Sequence, residues 1–382
     1  MQKEKSVIYN GVLLLTLFTI ANTSRFGASL SWVIIPCIII VTGVLFEKTR
    51  LGSNLLIIVF WFSAFISTLL SDLVVLQRDM ITFIFFCFVY IVATSIKYSK
   101  ERIRRLNKFY VFTAFITSIT ILYNWLRHDY YVAWFKRSSF KFLGVYRDPN
   151  YVMAYIVPAM YILTISLINT KDKKLRFFKS ILLITMMTSF LTTGSRGAIL
   201  SYVVGLVLFF LINKNIPLNS KIKVLAVSMV VILIGYTCLI RLLPQQSVNR
   251  LLNSDEDSRF NLWKSAIKVF WNHPVLGGGM SAASNISLAE VGKDSHNVYI
   301  DILSNFGLLG SIVFVHFFYK NCCLSTRSNM PFLLGACGVF MIPMFFVNGF
   351  NTVTFYFPLV ILTIYSYYCR NEKNEYTELF YI

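Results

Sequence analysis

Repeated long apolar runs constrain the fold of this chain more than any other feature of its sequence. Runs of about 17–20 residues, each long enough to cross a bilayer as an α-helix, recur along the chain with short charged stretches between them. A backbone in lipid must satisfy its own hydrogen bonds, and runs without strict apolar–polar alternation exclude an outer-membrane barrel. Composition agrees, because 56% of the 382 residues are hydrophobic and only 14% are charged. The sequence therefore predicts an all-α, polytopic membrane protein.

The apolar runs predict about twelve transmembrane helices in a single integral membrane domain, residues 1–382. The predicted spans are residues 7–22, 28–46, 54–71, 79–96, 108–126, 150–169, 178–193, 197–213, 222–241, 297–319, 331–347 and 353–369. The first run resembles a signal peptide, but it lacks a small-x-small cleavage site and further spans follow, so we interpret it as a retained span. An even number of spans places both termini on one side of the membrane.

The distribution of Lys and Arg predicts which side that is. The short loops 97–108, 171–179 and 214–223 are rich in both residues and lie on the side of the termini. Because short cationic loops stay in the cytoplasm, both termini are predicted to be cytoplasmic. This orientation also accounts for much of the net charge of +19, and no nucleic-acid-binding motif accompanies it.

Two segments on the opposite, outer face are too long to be simple turns. Residues 127–149 form one outer-face loop, and residues 242–296 form a large outer-face loop that contains an amphipathic helix. Both loops carry many cations, against the positive-inside trend. Clustered cations there favour an anionic ligand; binding to the headgroups of the outer leaflet is the alternative. The seven cysteines have no metal-ligand spacing, so we expect apolar packing for them and predict no metal site.

Arg196 lies in the tight outer connection TTGSRGAIL between the seventh and eighth predicted spans. Gly194 and Gly197 flank it, which permits unusual backbone angles and the close approach of a ligand. A guanidinium at this interface can hold a phosphate through two parallel hydrogen bonds. A snorkelling arginine at a helix end is an equally good interpretation.

Arg259 begins the amphipathic segment of the large outer loop. The apolar stripe of this segment has helical spacing and comprises Phe260, Trp263, Ile267 and Phe270. Lys264 and Lys268 lie on its polar face, so we expect an interfacial helix against the membrane or the bundle. Pro274 stops this helix, and the three glycines that follow are typical of a flexible turn.

His296 and Asn297 stand at the start of the tenth predicted span. An unperturbed imidazole pKa of about 6.5 suits a general base at neutral pH, while a polar interface residue or helix cap is the alternative. Asp301 lies farther inside the span, where a carboxylate supports a polar network or forms an ion pair. Near the sixth span, Arg147 adds a cation, and Asp148 or Asn150 is a candidate helix cap.

Four segments in chain order resemble one known family. They read LGVYRDPNYVMAY, LTTGSRGAIL, RFNLWKSAIKVFWNHPVLGGGM and HNVYIDILSNFGLLG, and they extend over about residues 142–310. Together with the span layout they resemble the O-antigen ligase and polymerase superfamily, membrane proteins that ligate O-antigen to lipid A core or polymerise lipid-linked repeat units. The resemblance implies a metal-independent, inverting glycosyltransferase without a cofactor, on the outer face of the bacterial cytoplasmic membrane.

The resemblance also assigns roles to residues of this chain. It implies that Arg196 and Arg259 bind the pyrophosphate of an undecaprenyl-pyrophosphate-linked glycan donor, and that His296 activates the acceptor hydroxyl. The candidate supporting residues are Asn150, Asn297, Asp301 and Arg147. The implied partners are the lipid-linked donor, a glycan acceptor, membrane lipid, a chain-length regulator and a flippase, with no nucleic acid.

Three activities remain open at this point. A polymerase for capsule, exopolysaccharide or O-antigen is favoured over a ligase of O-antigen or another glycan, because nothing in the sequence specifies a lipid A core acceptor. A flippase for lipid-linked oligosaccharides would require inverted repeats and polar groups near the middle of the membrane. The sequence shows no repeat, and its polar candidates cluster at the outer face. A structural membrane subunit is the third interpretation.

Overall fold

The computed structural model of the chain describes residues 55–71, 77–132, 137–142, 145–214, 216–219, 221–222, 256–284, 295–323, 329–347 and 353–371. The predicted spans 7–22, 28–46 and 222–241 lie wholly or almost wholly outside these residues. The count of twelve spans and the division into one domain with two outer loops therefore stay predictions. What is described is overwhelmingly α-helical, in agreement with the predicted fold class.

The elements of the described residues follow the predicted order. The α-helices are α1 (Leu55–Leu69), α2 (Gln77–Ser95), α3 (Lys100–Leu126), α4 (Pro149–Asn169), α5 (Lys173–Thr193), α6 (Arg196–Ile212), α7 (Glu256–Asn272), α8 (Val298–Phe318), α9 (Met330–Met341) and α10 (Val353–Asn371). The two-residue strands β1 (Lys141–Phe142) and β2 (Val145–Tyr146) pair antiparallel between α3 and α4. Short 3-10 turns cover Ala282–Ser284 and Ile342–Phe345, and a π-helical turn, Tyr319–Cys323, continues α8.

Four of the described helices are long and apolar enough to cross a membrane: Lys100–Leu126, Pro149–Asn169, Lys173–Thr193 and Val298–Cys323. Two of them start earlier than the apolar runs predict. α3 begins at Lys100 and α5 at Lys173, so cationic residues assigned to loops form their first turns. Lys and Arg are good helix formers, so the helices extend past the apolar runs without a local cost.

The described helices divide between two compact units, each considered by itself. The first unit includes α1, α2, α7, α8 and α10. Its buried aromatic centre lies around Phe60, whose ring centroid is 5.9 Å from that of Phe83, 5.8 Å from Phe306 and 5.5 Å from Phe314. Edge-to-face and tilted pairs of this kind stabilise a core beyond the area they bury. They join α1, α2 and α8.

The second unit includes α4, α5, α6, α9 and most of α3. Most of α4 is buried, and hydrogen bonds from tyrosine hydroxyl groups connect it to the neighbouring helices. Tyr161 of α4 donates to the Phe332 carbonyl of α9 at 2.9 Å, and Tyr110 of α3 donates to the Tyr155 carbonyl of α4 at 2.6 Å. Buried hydroxyls satisfied in this way add specificity to helix packing in an apolar environment.

Gly307 interrupts α8 in the first unit. Its φ of 62° and ψ of −161° are not helical, so the regular hydrogen bonds of α8 fail around it. The segment after α7, residues 274–280, which we call the glycine strap, lies against this break. The strap amides of Gly278 and Gly279 donate to the carbonyls of Ser304 and Asn305, both at 2.9 Å. The break is therefore occupied by a second stretch of backbone.

Hydrogen bonds also run from α8 to the glycine strap. The amide of Leu308 donates to the Pro274 carbonyl at 2.9 Å, and that of Leu309 donates to the Val275 carbonyl at 3.1 Å. Backbone groups at membrane depth must be paired within the protein. The sequence predicted a flexible turn at these glycines, and this was wrong, because the turn is fixed by pairing with a distant helix.

Gly277→Ala is expected to destabilise the first unit strongly. Its φ is +75°, and an added Cβ would lie 2.4 Å from the backbone carbonyl of Asn305, so strain and collision combine. We expect a loss of roughly 2–4 kcal/mol, read as a lower Tm of the purified protein. Gly194→Ala is the matched control, because its φ is +61° but nothing lies within 4 Å of the added atom. Equal Tm values for the two variants would contradict the close approach.

Candidate active site

His296 lies in a tight turn directly before α8. Its φ of 55° is in the left-handed region, which a non-glycine residue adopts at a cost in free energy. Asn297 is the N-cap of α8, because its Oδ1 accepts from the amides of Tyr299 at 3.0 Å and Ile300 at 3.2 Å. The cap is therefore Asn297, and His296 is presented one residue before the helix.

Ser295 and Asp301 stabilise this turn through hydrogen bonds. The hydroxyl of Ser295 donates to Oδ1 of Asp301 at 2.7 Å and lies 2.9 Å from the Asn297 carbonyl. The amide of Asn297 in turn donates to that hydroxyl at 3.1 Å. Ser295 and Asp301 are both buried. Of the two interpretations of Asp301, this contact favours the polar network near His296.

The predicted amphipathic helix of the large loop is α7, and it carries Arg259. The predicted polar face is confirmed, because Lys264 and Lys268 are exposed. The predicted apolar stripe is confirmed only in part. Phe270 is buried and Trp263 is half-buried, but Phe260 is 58% exposed, and the fully buried residues of the helix are Ala266 and Val269. The Arg259 guanidinium lies 5.9 Å from the centroid of the Phe346 ring, within cation–π range.

Trp263, one helical turn after Arg259, connects α7 to the turn of His296. Its indole Nε1–H donates to the Ser295 carbonyl at 3.0 Å. The helix that carries Arg259 is thus hydrogen-bonded to the residue immediately before His296. Within the first unit, one hydrogen bond therefore links the helix that carries Arg259 to the turn that contains His296.

An aromatic pair lies beside these groups. The ring centroids of Tyr299, in the first turn of α8, and Phe345 are 4.4 Å apart, and Phe345 is 43% exposed. Phe345 directly precedes Phe346, the ring that faces Arg259. The sequence reasoning missed this contribution, because the pair stands at the end of an apolar span and is indistinguishable there from lipid-facing residues.

Arg196 stands in the second unit, at the junction of α5 and α6. α5 ends at Thr193, Gly194 is its left-handed C-cap with a φ of 61°, and Ser195 is the N-cap of α6. Arg196 is the first residue of α6 and its side chain is exposed. The predicted tight connection is therefore observed, with a glycine at the position that needs a positive φ.

Asn150 holds this junction from α4. Its Oδ1 accepts from the Ser195 hydroxyl at 2.9 Å and from Nη2 of Arg137, also at 2.9 Å. Arg137 is only 6% exposed, and its Nε donates to the Thr193 carbonyl at 2.6 Å. Asn150 and Arg137 together fix the backbone on both sides of Gly194. Ser195, which donates to Asn150, directly precedes Arg196, and the supporting role of Asn150 stays a prediction.

The start of α6 has no side-chain cap. The hydroxyl of its N-cap residue, Ser195, donates to Asn150 and makes no hydrogen bond to the helix amides. The first amides of α6 accordingly receive no acceptor from their N-cap side chain. Such amides, beside an exposed guanidinium, are suited to a phosphate.

The segment that contains Arg147 follows a small hairpin and directly precedes α4. The Arg147 amide donates to the Phe140 carbonyl at 2.9 Å, and the Ser139 hydroxyl donates to the Arg147 carbonyl at 2.5 Å. Burial lowers the pKa of the Arg147 guanidinium to about 10, and the nearby Asp148 carboxylate opposes this shift. The side chain therefore remains positive at neutral pH.

A charged contact lies next to these hydrogen bonds. The Lys141 ammonium lies 2.7 Å from the carboxylate of Asp129, which also accepts from the Tyr146 hydroxyl. The hydrogen bonds from Lys141 and Tyr146 lower the pKa of Asp129 below its usual range. Asp129 therefore ties the first strand residue and its cross-strand partner to the segment that follows α3.

Comparison with known families identifies the segment that contains the predicted site. Residues 181–315 match the family model described as O-antigen ligase. This segment is therefore similar to the O-antigen ligase family, in agreement with the resemblance seen in the sequence. No curated protein matches the chain. The apolar helices and this family domain together indicate an inner-membrane protein.

The O-antigen ligase domain contains Arg196, Arg259 and His296, whereas Arg147 and Asn150 precede it. Three residues with direct roles in holding these groups were not singled out from the sequence: Arg137, Trp263 and Ser295. Arg137 was one of several cations in a loop, and Trp263 was one member of an apolar stripe. Among the described residues, no group of three or more His, Cys, Asp or Glu side chains is placed to hold a metal ion.

Arg137→Lys is expected to destabilise the second unit. A lysine keeps the charge, but a single ammonium cannot reproduce the two divergent bonds from Nε and Nη2. Hydrogen bonds of charged groups contribute about 1.5–3 kcal/mol each, so we expect a measurable fall in Tm. Arg127→Lys is the control, because Arg127 is exposed at the end of α3. A Tm change no larger than that of the control would contradict the role of Arg137.

Proposed function

We propose that this protein is a glycosyltransferase that joins lipid-linked repeat units into a polysaccharide. The donor is a glycan on undecaprenyl pyrophosphate, and the acceptor is a hydroxyl of a second glycan. The observation that carries the proposal is the arrangement inside the O-antigen ligase domain, where the turn of His296 is hydrogen-bonded to the helix of Arg259. A histidine and an arginine on adjacent, braced elements suit proton removal and anion binding in one reaction.

In the proposed reaction, the His296 imidazole takes the proton of the acceptor hydroxyl. The acceptor oxygen attacks the anomeric carbon of the donor, and a new glycosidic bond forms as the bond to pyrophosphate breaks, with inversion. The electron pair of the broken bond leaves on undecaprenyl pyrophosphate. Arg196 and Arg259 bind the pyrophosphate and stabilise the negative charge that develops on it.

The supporting residues hold the backbone segments that carry His296 and Arg196. Asn297 and Asp301 hold the turn of His296 through the cap and through Ser295. Asn150 holds the junction that presents Arg196, and the first amides of α6 add hydrogen-bond donors for phosphate oxygens. Arg147 adds a positive charge to the segment before α4.

The proposed location is the outer face of the cytoplasmic membrane, and α5 supports it. This helix has 21 residues, which at about 1.5 Å per residue is about 31 Å, the thickness of a hydrocarbon core. Its first turn contains Lys173, Lys174 and Arg176, and its last residue precedes the junction that holds Arg196. Short cationic segments stay in the cytoplasm, and this supports a position of Arg196 at the opposite, outer side.

A glycan ligase is the second candidate, because the matching family model is described as O-antigen ligase. Both activities use the same donor, and they differ only in the acceptor. The polymerase is preferred since nothing in the chain specifies a lipid A core acceptor.

Product analysis separates these candidates. Purified protein in detergent is incubated with a lipid-linked repeat unit alone, and the products are resolved by gel electrophoresis and mass spectrometry. We expect a ladder of longer lipid-linked glycans. Transfer only to an added, chemically different acceptor would make the protein a ligase. Movement of the donor across a liposome bilayer without any new bond would make it a flippase, and would contradict the proposal.

A further inference from the structure

Trp263 holds the peptide group that precedes His296. Its indole Nε1–H donates to the Ser295 carbonyl at 3.0 Å, and this carbonyl belongs to the peptide bond between Ser295 and His296. A hydrogen bond to that oxygen fixes the plane of the peptide. The direction in which the next residue leaves the turn is thereby fixed as well.

The conformation of His296 makes this anchor necessary. A φ of 55° is unfavourable for a residue with a Cβ, so it persists only where the surrounding structure holds it. Two independent anchors do so. From the side of α8, the Ser295 hydroxyl is bonded to Asp301 and Asn297. From the side of α7, the anchor is the indole of Trp263.

The hydrogen bond of Trp263 can be tested separately from the packing of its ring. The ring is partly buried and lies edge-to-face with Phe260, with centroids 5.6 Å apart. A phenylalanine at this position would keep an aromatic ring beside Phe260 but has no donor for the Ser295 carbonyl. Trp271, on the same helix, is 71% exposed and provides a tryptophan outside this contact.

We propose that Trp263 is a positioning residue that couples the placement of α7 to the orientation of His296. Arg259 lies one turn before Trp263 on the same helix, so a displacement of α7 moves the arginine and, through the indole, the turn of the histidine. The inference rests on the proposed function and deepens it. Through Trp263, the helix that carries the donor-binding Arg259 also orients the base, His296.

Trp263→Phe tests this role in the full-length protein. We expect the kcat of glycosidic bond formation to fall by about 10- to 100-fold, because small misplacements of a catalytic group have effects of this size. The KM for the lipid-linked donor is expected to stay within about 2-fold, because Arg259 itself is retained. Rates are normalised to monodisperse, folded protein, and Tm is measured alongside. Trp271→Phe is the matched control and should change neither constant.

The outcomes separate the inference from the function on which it rests. A wild-type protein that forms no glycosidic bond overturns the proposed function. An active wild type with an unchanged kcat for Trp263→Phe overturns the positioning role alone, as does a loss that appears only in KM. If Trp263→Phe yields no folded protein, Ser295→Ala removes the second anchor of the same turn. That variant must then show the same loss of kcat at constant KM, or the positioning role is rejected.

Discussion

Replacement of His296 by alanine is expected to lower the rate of glycosidic bond formation by about 100- to 10,000-fold, the range associated with loss of a general base. The acceptor hydroxyl is a weak nucleophile until its proton is removed, and we propose that this imidazole removes it. The turn is braced through Ser295 and Trp263, whose contacts do not involve the imidazole. We therefore expect the variant to remain folded in the membrane.

His296→Asn sharpens this test. Asparagine tolerates the left-handed region better than most residues, which suits the φ of 55°, but it offers no basic nitrogen. Both variants should lose activity equally while their Tm stays close to that of the wild type. His273→Ala is the control, because His273 is an exposed histidine just after α7. Either His296 variant making full-length polymer at the wild-type rate would reject the assignment.

Arg196→Lys and Arg259→Lys are expected to lower kcat/KM for the lipid-linked donor by about 100-fold each, in line with the loss of one donor to a developing oxyanion. Lysine keeps the positive charge but cannot form the two parallel hydrogen bonds of a guanidinium. Arg196 is exposed, so its replacement should leave Tm unchanged. Arg259 lies over Phe346, and a lysine retains part of that cation–π contact.

The two lysine variants are compared with Arg127→Lys, an exposed arginine at the end of α3. Steady-state rates are measured over a range of donor concentrations for all three proteins. If the Arg196 and Arg259 variants match the control, the arginines do not bind the pyrophosphate through paired hydrogen bonds. A loss in only one variant would restrict this role to that residue.

The helical framework could be predicted because its signals are local. Apolar runs, the cap at Asp148 before Pro149 and the stop at Pro274 depend on a few neighbouring residues, and the helices begin and end near them. Asn297 and Asp301 were also recognisable, since polar residues at the start of a span or inside it have few roles. These candidates could therefore be named from the sequence alone.

The parts that could not be predicted depend on distant contacts. An apolar run does not reveal that α8 breaks at Gly307, because the compensating hydrogen bonds come from the glycine strap. Arg137 resembled the other cations of its loop until its burial against Thr193 and Asn150 distinguished it. Trp263 has the spacing of a core residue, and only its bond to the Ser295 carbonyl indicates a further role.

The most direct test of the central claim follows both products of a single reaction. Purified protein, in buffer containing a chelator, receives a lipid-linked repeat unit, and the release of undecaprenyl pyrophosphate is measured together with the new glycosidic bond and its anomeric configuration. We predict one released pyrophosphate lipid for each new bond, inversion at the anomeric carbon, and neither product with His296→Ala. Release without bond formation, retention of configuration, or equal yields from the His296 variant would contradict the account.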